Sequence, residues 1–239
     1  MKSLIFNPFS GAAGDMILGC TLDLLDDKFY VKEIIESAVP VSVNMNEVVK
    51  RGIRALDVKI NVPEDEHSRT YFELVDIIKD AKLPNDVEKS ALEIFSKMAE
   101  AEAHVHGKDD LEKLHFHEVG QNDALADVIG SSTAIHSLKC DSVYCMPINV
   151  GSGTVKCAHG VMSVPAPATL ELLKKGNLYF QGGNEAKELL TPTGAAILSH
   201  FAKPVIVFPK CKVYSIGYGA GDADLEGPNV LQGVLAETD

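Results

Sequence analysis

The sequence predicts an α/β fold in which a mixed sheet is combined with a central helical segment. Three observations support this prediction. Short runs rich in valine and isoleucine lie towards both ends of the chain, apolar residues recur with helical spacing over about 70–138, and two later segments carry proline where a helix would begin. Because we find no internal repeat and no low-complexity linker, residues 1–239 are interpreted as one domain.

The first part of the chain is predicted to form a strand, two helices and a hairpin. The segment SLIFNP is short and apolar, as expected of a buried strand, and the turn SGAAGD leads into an apolar-periodic helix over about 14–25. A second helix is predicted over about 31–38. The runs VSVNMNEVV and IRALDVKINV have the composition of strands, and we expect them to be joined near Arg51 and Gly52.

The middle of the chain is predicted to be helical and its end to be strand-rich. Helical spacing is found in YFELVDIIKDA, NDVEKSALEIFSKMAEAEAHV and DALADVIGSSTAIHSL. Short strands with glycine turns follow in DSVYCMPINV and GSGTVKCAHG. Proline in the first turn predicts helices that begin in PAPATLELLKK and TPTGAAILSHF. The remainder, from PVIVFPKCKVYSIGYGAGDAD to NVLQGVL, is again strand-like.

The composition argues against several classes of protein. The net charge of −12 lacks the basic face that a general nucleic-acid binder needs. The five cysteines are scattered without a C-x-x-C pair, so we expect neither a disulfide framework nor a zinc knuckle. No run is long and apolar enough to predict a membrane span. We therefore expect a cytoplasmic protein without a membrane partner.

The most informative stretch is AEAHVHGKDDLEKLHFHEVGQNDALAD, residues 101–127, which holds four of the eight histidines. Gly107 is predicted to end the long helix, which places His104 and His106 at its last turn. The segment 115–117 is predicted to be extended, with the Phe116 ring outward and both imidazoles on one side. In a helix the following Asp123 and Asp127 would share one face.

These side chains suit a first-row divalent ion such as nickel, zinc or manganese. His115, His117, Asp123 and Asp127 form the principal candidate set, and His104, His106 and His159 are further candidates. The alternative is structural, because histidines are often packed or solvated and Asp123 near a helix start can simply complement the helix dipole. Asp127 fits that alternative less well, since it lies between apolar neighbours and a buried carboxylate is costly without a partner.

Two features suggest an anionic ligand. The turn with Ser10, Gly11 and Gly14 lies between a strand and a helix, where free backbone amides can hold a phosphate and Ser10 can cap the helix. A capped tight turn with no ligand is the alternative. The chain's three arginines, Arg51, Arg54 and Arg69, lie in or just after the predicted hairpin, and arginine binds carboxylate or phosphate with two donors at once. Ordinary surface ion pairs are the alternative here.

Taken in order, the motifs FSGAAGDM, AEAHVHG, HFHEVG, VGSGTVKCAHGVMSVPAPATLELL, ELLTPTGAAIL and GYGAGDAD resemble the N-terminal domain of the LarC family of nickel-insertion proteins. The resemblance covers nearly the whole chain. It implies a nickel chelatase that places nickel into pyridinium-3,5-bisthiocarboxylic acid mononucleotide to give the nickel-pincer cofactor. It also implies dependence on CTP with Mg²⁺ or Mn²⁺.

The resemblance also implies positions for this chemistry. It implies nickel or catalytic roles for the histidine-rich segment and its surroundings: His104, His106, His115, His117, Glu118, Asp123, Asp127 and His159. We expect His115, His117 or Asp127 to act in catalysis, because forming a nickel–carbon bond releases a ring proton that needs a base. The phosphate and thiocarboxylates of the substrate would be held by Ser10, Gly11, Gly14 and the three arginines.

Two departures from the family pattern qualify these expectations. Asn7 stands where the family usually has an aspartate in the first strand. Family members also generally continue into a second, CTP-binding domain, so we expect that domain to be absent here or to be a separate partner chain. A homo-oligomer is also expected. The remaining alternatives are a non-catalytic nickel-binding or scaffold module, and a metal-dependent hydrolase of a phosphorylated small molecule with Asp123 and Asp127 holding the ion.

Overall fold

The computed structural model describes residues 1–63, 69–107, 115–116, 121–157 and 159–239, with only the backbone of residue 115 included. Its helices are α1 (Gly14–Asp23), α2 (Lys28–Ala38), α3 (Tyr71–Asp80), α4 (Asn85–Val105), α5 (Asn122–Ser137), α6 (Pro167–Lys175) and α7 (Pro192–Phe201). Its strands are β1 (Lys2–Asn7), β2 (Ser42–Lys50), β3 (Ile53–Asn61), β4 (Arg69–Thr70), β5 (His115–Phe116), β6 (Ser142–Cys145), β7 (Ile148–Asn149), β8 (Thr154–Cys157), β9 (Gly160–Ser163), β10 (Phe180–Gln181), β11 (Lys203–Pro204), β12 (Cys211–Ala220) and β13 (Val230–Thr238).

The main sheet has seven strands in the order β11-β6-β1-β13-β12-β3-β2. It is mixed, because β1 pairs parallel with β6 and antiparallel with β13, while β12 pairs antiparallel with β13 and parallel with β3. The antiparallel β2–β3 hairpin turns at Arg51 and Gly52, as the sequence predicts. Together with the helices, this sheet confirms the predicted α/β fold.

Helix α1 lies directly on the sheet, and glycines in β12 make that contact possible. A Cβ atom added at Gly219 would collide with the backbone of Met16 and Cys20, and one at Gly217 would come within 2.6 Å of the Cys20 carbonyl oxygen. Helix α5 packs against α1 and α2, and α4 packs on α5, α6 and α7. The position of α1 therefore sets the positions of the helices that surround it.

The buried core contains three phenylalanines, Phe6, Phe95 and Phe116, none more than 1% exposed. The short pairing of β5 with β4 confirms the extended backbone predicted at 115–116. The prediction that the Phe116 ring points outward is wrong, because the ring packs edge-on against Phe95 with centroids 6.5 Å apart. Burial of a phenyl ring in the core stabilises the fold more than its exposure to water on an extended segment would.

The helical predictions agree closely with the structure. Helices α3, α4 and α5 occupy the predicted central segment, and α4 ends just before Gly107, which has a φ of +60°. Pro167 and Pro192 begin α6 and α7, and the Thr191 hydroxyl caps α7 by accepting a hydrogen bond from the Gly194 N–H at 3.2 Å. None of the helices in the described ranges has the length and apolar character to cross a membrane.

Replacing Gly219 with alanine should destabilise the fold by about 1–3 kcal/mol, because the added methyl group overpacks the contact between α1 and β12. Urea unfolding followed by circular dichroism measures this change. Gly227→Ala is the matched control, since an added Cβ there meets no atom within 4 Å. Equal stability of the two variants would show that the close approach of α1 is not needed.

Candidate functional site

Four helices begin around a set of adjoining cavities. One cavity of about 260 Å³ is lined by the first turns of α6 and α7 and by the β8–β9 hairpin, and we call it the histidine chamber after His159. A second of about 300 Å³, lined by Asp15, Asp123, Asp127 and Asp222, is called the acidic chamber. A recess of about 290 Å³ adjoins both, because it shares Glu188 with the first and Asp15 with the second.

The helix starts at these cavities have the polarity that favours anions. Gly14 of α1, Asp123 of α5 and Thr193 of α7 line the acidic chamber, and Pro167 of α6 and Pro192 of α7 line the histidine chamber. The first turn of a helix presents backbone N–H groups and the positive end of the helix dipole. Helix α1 begins without a side-chain cap. The arrangement is therefore suited to a ligand that carries several negative groups.

Asp127 is held in the acidic chamber by a close packing contact. Any Cβ at position 14 would overlap the Asp127 side chain, so only glycine allows α1 and α5 to approach here. Solvent reaches part of the residue, but the carboxylate oxygen Oδ1 is buried and has no hydrogen-bond partner within the described ranges. Burial, followed by the negative charges of Asp15 and Asp123, raises the pKa of the Asp127 carboxyl well above its usual range.

Asp15 is the second perturbed carboxyl of the acidic chamber. Burial is the main cause that raises the pKa of the Asp15 carboxyl to about 6. The Met16 N–H, which donates to Oδ1 at 2.8 Å, lowers this pKa, and the negative charge of Asp222 raises it further. Lys59 lies in the same chamber and pairs with Asp222 and with Asp57. The one lysine that lines the chamber among the described residues is thus already engaged, and the chamber remains acidic.

The histidine chamber combines borderline and soft donors with an apolar wall. The rings of His106 and His159 lie 4.8 Å apart, and the His106 Nε2 is 3.5 Å from a Glu102 carboxylate oxygen. Cys157 and Met162 also line the chamber, and its remaining wall includes Val155, Ala166, Pro167, Ala168 and Pro192. The structure therefore brings together His106 and His159, which are 53 positions apart in the sequence.

His104 and His106 point in different directions, as expected for residues i and i+2 at a helix end. The His104 ring faces Glu171 of α6 at 3.5 Å rather than His106. Asp123 is exposed at the rim of the acidic chamber. The side chain of His115, together with His117 and Glu118, lies outside the described residues.

Two of the three predicted anion-binding arginines, Arg51 and Arg54, are engaged with acidic residues. Arg54 makes a two-pronged contact with Asp23 at 2.8–3.0 Å, and Arg51 bonds to Asp224 at 3.2 Å and to the Leu225 carbonyl oxygen. Arg69 lies in β4, next to the backbone of residue 116. Arg51 and Arg54 thus form ion pairs, which was the alternative to anion binding. An anion-binding role for the three arginines stays a prediction.

Ser10 and Gly11 shape the loop before α1. Ser10 does not cap α1 as expected, because Ala13 is the N-cap residue and the Ser10 hydroxyl donates to the Pro228 carbonyl oxygen at 2.8 Å. Gly11 has a φ of +89°, and a side chain there would collide with Leu189. Both residues hold the loop against neighbouring segments, and Ser10 also lines the recess.

The structure adds residues that the sequence did not single out. Asp15, Lys59, Asp222 and Cys157 line the chambers, and only the fold brings them beside the predicted residues. The available signal for Asp15 in the sequence is its position directly after Gly14, at the end of the turn. Within the described part of the chain, no group of three or more His, Cys, Asp or Glu side chains is arranged to hold a metal ion by itself.

The raised pKa of Asp15 predicts a pH-dependent cost to stability. The folded state binds this proton more tightly than the unfolded state, so wild-type stability should fall as pH rises from about 4 to about 6. Asp15→Asn removes that ionisation. The free energy of unfolding of this variant, relative to that of wild type, should therefore increase from about pH 4 to about pH 6 and level off at higher pH. Thermal unfolding at pH 4 and at pH 7.5 measures the difference. Asp26→Asn, at an exposed position, corrects for the change in net charge, and identical pH profiles for both variants would contradict the assignment.

Comparison with known proteins identifies the family. The family model described as nickel insertion protein matches residues 4–239. A relative from Methanosarcina barkeri (strain Fusaro / DSM 804), provisionally named a nickel insertion protein, is 74% identical over 239 residues, which are 100% of this chain and 60% of the relative. A relative from Desulfitobacterium hafniense (strain DSM 10664 / DCB-2), named pyridinium-3,5-bisthiocarboxylic acid mononucleotide nickel insertion protein, is 40% identical over 244 residues, with 100% and 60% covered.

The chain thus spans 60% of the length of these curated relatives. No solved structure matches it significantly. The family match and the level of identity confirm the resemblance drawn from the sequence motifs. The chain belongs to the nickel insertion protein (LarC) family.

Proposed function

We propose that this chain provides the nickel- and substrate-binding part of a chelatase that inserts Ni²⁺ into pyridinium-3,5-bisthiocarboxylic acid mononucleotide. The observation that supports this most directly is the set of four helix N-termini that line two adjoining chambers, one of which is lined by His159, whose ring lies 4.8 Å from that of His106. The named activity of the Desulfitobacterium relative supplies the substrate. The reaction product is the nickel-pincer cofactor, so the chain acts in the biosynthesis of that cofactor.

The electrostatics of the helix starts suit the proposed substrate. The mononucleotide carries a phosphate and two thiocarboxylates, and each of these anionic groups is stabilised by backbone N–H donors at a helix N-terminus. The helices α1, α5, α6 and α7 provide such positions around the two chambers. This mode of binding does not require Arg51 or Arg54, whose guanidinium groups are already paired.

The histidine chamber suits the heterocycle and the nickel ion. A planar pyridinium ring fits against its apolar wall of valine, alanine and proline side chains. His106 and His159 provide imidazole nitrogens, which are good ligands for Ni²⁺, and Cys157 adds a soft donor at the same wall. A site with few protein ligands also favours transfer, because the substrate sulfurs can replace them around the ion.

The chemistry requires a base as well as a metal. When nickel replaces the ring hydrogen, a carbon–nickel bond forms, the carbon–hydrogen bond breaks, and its proton passes to a protein group. His115 and His117 remain the proposed bases from the sequence, since imidazole has a suitable intrinsic pKa. Asp127 is a proposed catalytic residue at the neighbouring acidic chamber. In reaction classification this activity is that of a nickel chelatase, a lyase.

Activity is proposed to depend on CTP and on a part of the protein beyond these residues. The relatives are longer than this chain, and the resemblance assigns the CTP site, with its Mg²⁺ or Mn²⁺ ion, to the second domain. That domain would be supplied by the same polypeptide or by a separate chain. We further propose that the protein acts in the cytoplasm and as a homo-oligomer.

Alanine substitution of His106 or His159 should weaken nickel binding by about tenfold or more, which corresponds to about 1.4 kcal/mol, because each change removes one of two neighbouring imidazoles. Isothermal titration calorimetry with NiCl₂ measures the affinity. His200→Gln is the matched control, since His200 lies at the far end of α7 beside Phe201 and Glu93. The same titration of His115→Ala and His117→Ala tests the two remaining candidates. Wild-type affinity in all four alanine variants would contradict the nickel assignment.

Reconstitution tests the division of the activity. The chain should give the absorbance of the nickel-pincer cofactor only when it is mixed with substrate, Ni²⁺, CTP and the separately produced remaining part of a relative. His117→Ala and Asp127→Asn should lower the rate of product formation, because each removes a proposed catalytic group. Release of phosphate from the mononucleotide by this chain alone would instead identify the metal-dependent hydrolase. Nickel binding with no product under any condition would indicate a storage or scaffold module.

A further inference from the structure

The acidic chamber poses an electrostatic problem for an anionic substrate. Four carboxylates line it, and its only lysine among the described residues, Lys59, is paired with Asp222 and Asp57. A phosphate that approached the first turns of α1 and α7 would meet an excess of negative charge within a few ångströms, which is unfavourable in a partly buried site. Some positive group must therefore offset the chamber's charge when an anion binds.

Asp127 shows where that positive group would bind. Its Oδ1 atom is buried and has no hydrogen-bond partner in the part of the chain that the structure describes, and an unsatisfied buried carboxylate oxygen is costly. The side chain faces the chamber, where Asp15 and Asp123 add further carboxylate oxygens. Glycine at position 14 keeps Asp127 against the start of α1. The orphaned oxygen and the uncompensated carboxylates both require a cation or a proton.

The donors of this chamber are all oxygen atoms. Besides the carboxylates, the chamber is lined by Thr191 and Thr193, and among the described residues no histidine, cysteine or methionine lines it. Oxygen donors select hard ions such as Mg²⁺ and Mn²⁺, whereas the imidazoles and thiol of the histidine chamber favour nickel. The two chambers are therefore chemically distinct.

The spacing of the carboxylates indicates which kind of hard-ion site this is. Three protein ligands are not arranged around one point in the described part of the chain. Mg²⁺ commonly binds one or two carboxylates, keeps several waters, and takes phosphate oxygens from a substrate as its remaining ligands. An incomplete protein shell beside two helix N-termini is what such a substrate-bridging site requires.

We propose that the acidic chamber binds one hard divalent cation, Mg²⁺ or Mn²⁺, through Asp127 and Asp15, and that this cation holds the phosphate of the anionic substrate. The cation site stands on the chamber itself, and the phosphate contact rests on the proposed function. The raised pKa values of the two carboxyls describe the cation-free chamber, and a bound divalent ion would favour their ionised forms. The substrate would then span both chambers, with its ring beside His159 and its phosphate beside Asp127.

Electron paramagnetic resonance with Mn²⁺ tests the cation site in the full chain. The wild type should bind one Mn²⁺, and Asp127→Asn and Asp15→Asn should each weaken that binding by about tenfold or more, because each removes a charged ligand. Asp86→Asn is the control, since Asp86 is an exposed aspartate in the first turn of α4. Circular dichroism spectra of both chamber variants should match that of wild type, so that weaker Mn²⁺ binding reflects loss of a ligand and not misfolding. Failure of the wild type to bind Mn²⁺, or equal affinity in wild type and both chamber variants, would overturn the proposal.

Titration with inorganic phosphate tests the bridging role. Mn²⁺ should tighten phosphate binding, phosphate should tighten Mn²⁺ binding by the same factor, and Asp127→Asn should abolish this coupling. Phosphate that binds without any effect on Mn²⁺ would overturn the bridge. Nickel titration of Asp127→Asn separates this proposal from the proposed function. Unchanged nickel affinity supports two distinct metal sites, and a parallel loss of nickel and Mn²⁺ binding would overturn the proposal of two sites. A wild type that binds Mn²⁺ but no nickel would contradict the proposed function and leave the cation site in place.

Discussion

Helix α1 packs so closely on β12 that backbone meets backbone, and the geometry of the site depends on this contact. Gly217 and Gly219 remove the side chains that would separate the helix from the strand, and Gly14 allows Asp127 of α5 to rest against the helix start. These contacts bring the beginnings of α1 and α5 to the same cavity. Side chains at Gly217 and Gly219, or at Gly14, would displace the helices, and the helix N-termini would no longer converge.

This convergence explains how a strongly acidic protein can be proposed to bind an acidic substrate. Net charge acts over the whole surface, but within a partly buried groove the nearest dipoles and ions dominate. The histidine chamber offers the imidazole of His159 with that of His106 beside it, a thiol and an apolar wall, whereas the acidic chamber offers carboxylates and hydroxyls. A transition metal and a hard cation would thus bind in different chambers, because the donor atoms of the two chambers differ. Residues at the start of α7 line both chambers.

The sequence predicted those features that depend on local chemistry. The β2–β3 hairpin follows from apolar alternation around Arg51 and Gly52, and α7 follows from Thr191 and Pro192 at its start. Features that depend on distant partners were missed or misjudged. The direction of Phe116 is set by Phe95 of α4, and the significance of Asp15 emerges only when Asp127 is placed beside it. Arg51 is near Arg54 in the sequence, yet its acidic partner, Asp224, is 173 residues away.

We propose that the two chambers together form one site for a nickel ion and a phosphorylated heterocycle. Anomalous diffraction at the nickel edge, from crystals grown with Ni²⁺ and the dicarboxylate analogue of the pyridinium mononucleotide, would test it most directly. We expect a nickel peak beside His106 and His159, with the pyridinium ring in the histidine chamber and the phosphate at the start of α1. A nickel peak away from both chambers, or a ligand bound elsewhere on the chain, would contradict it.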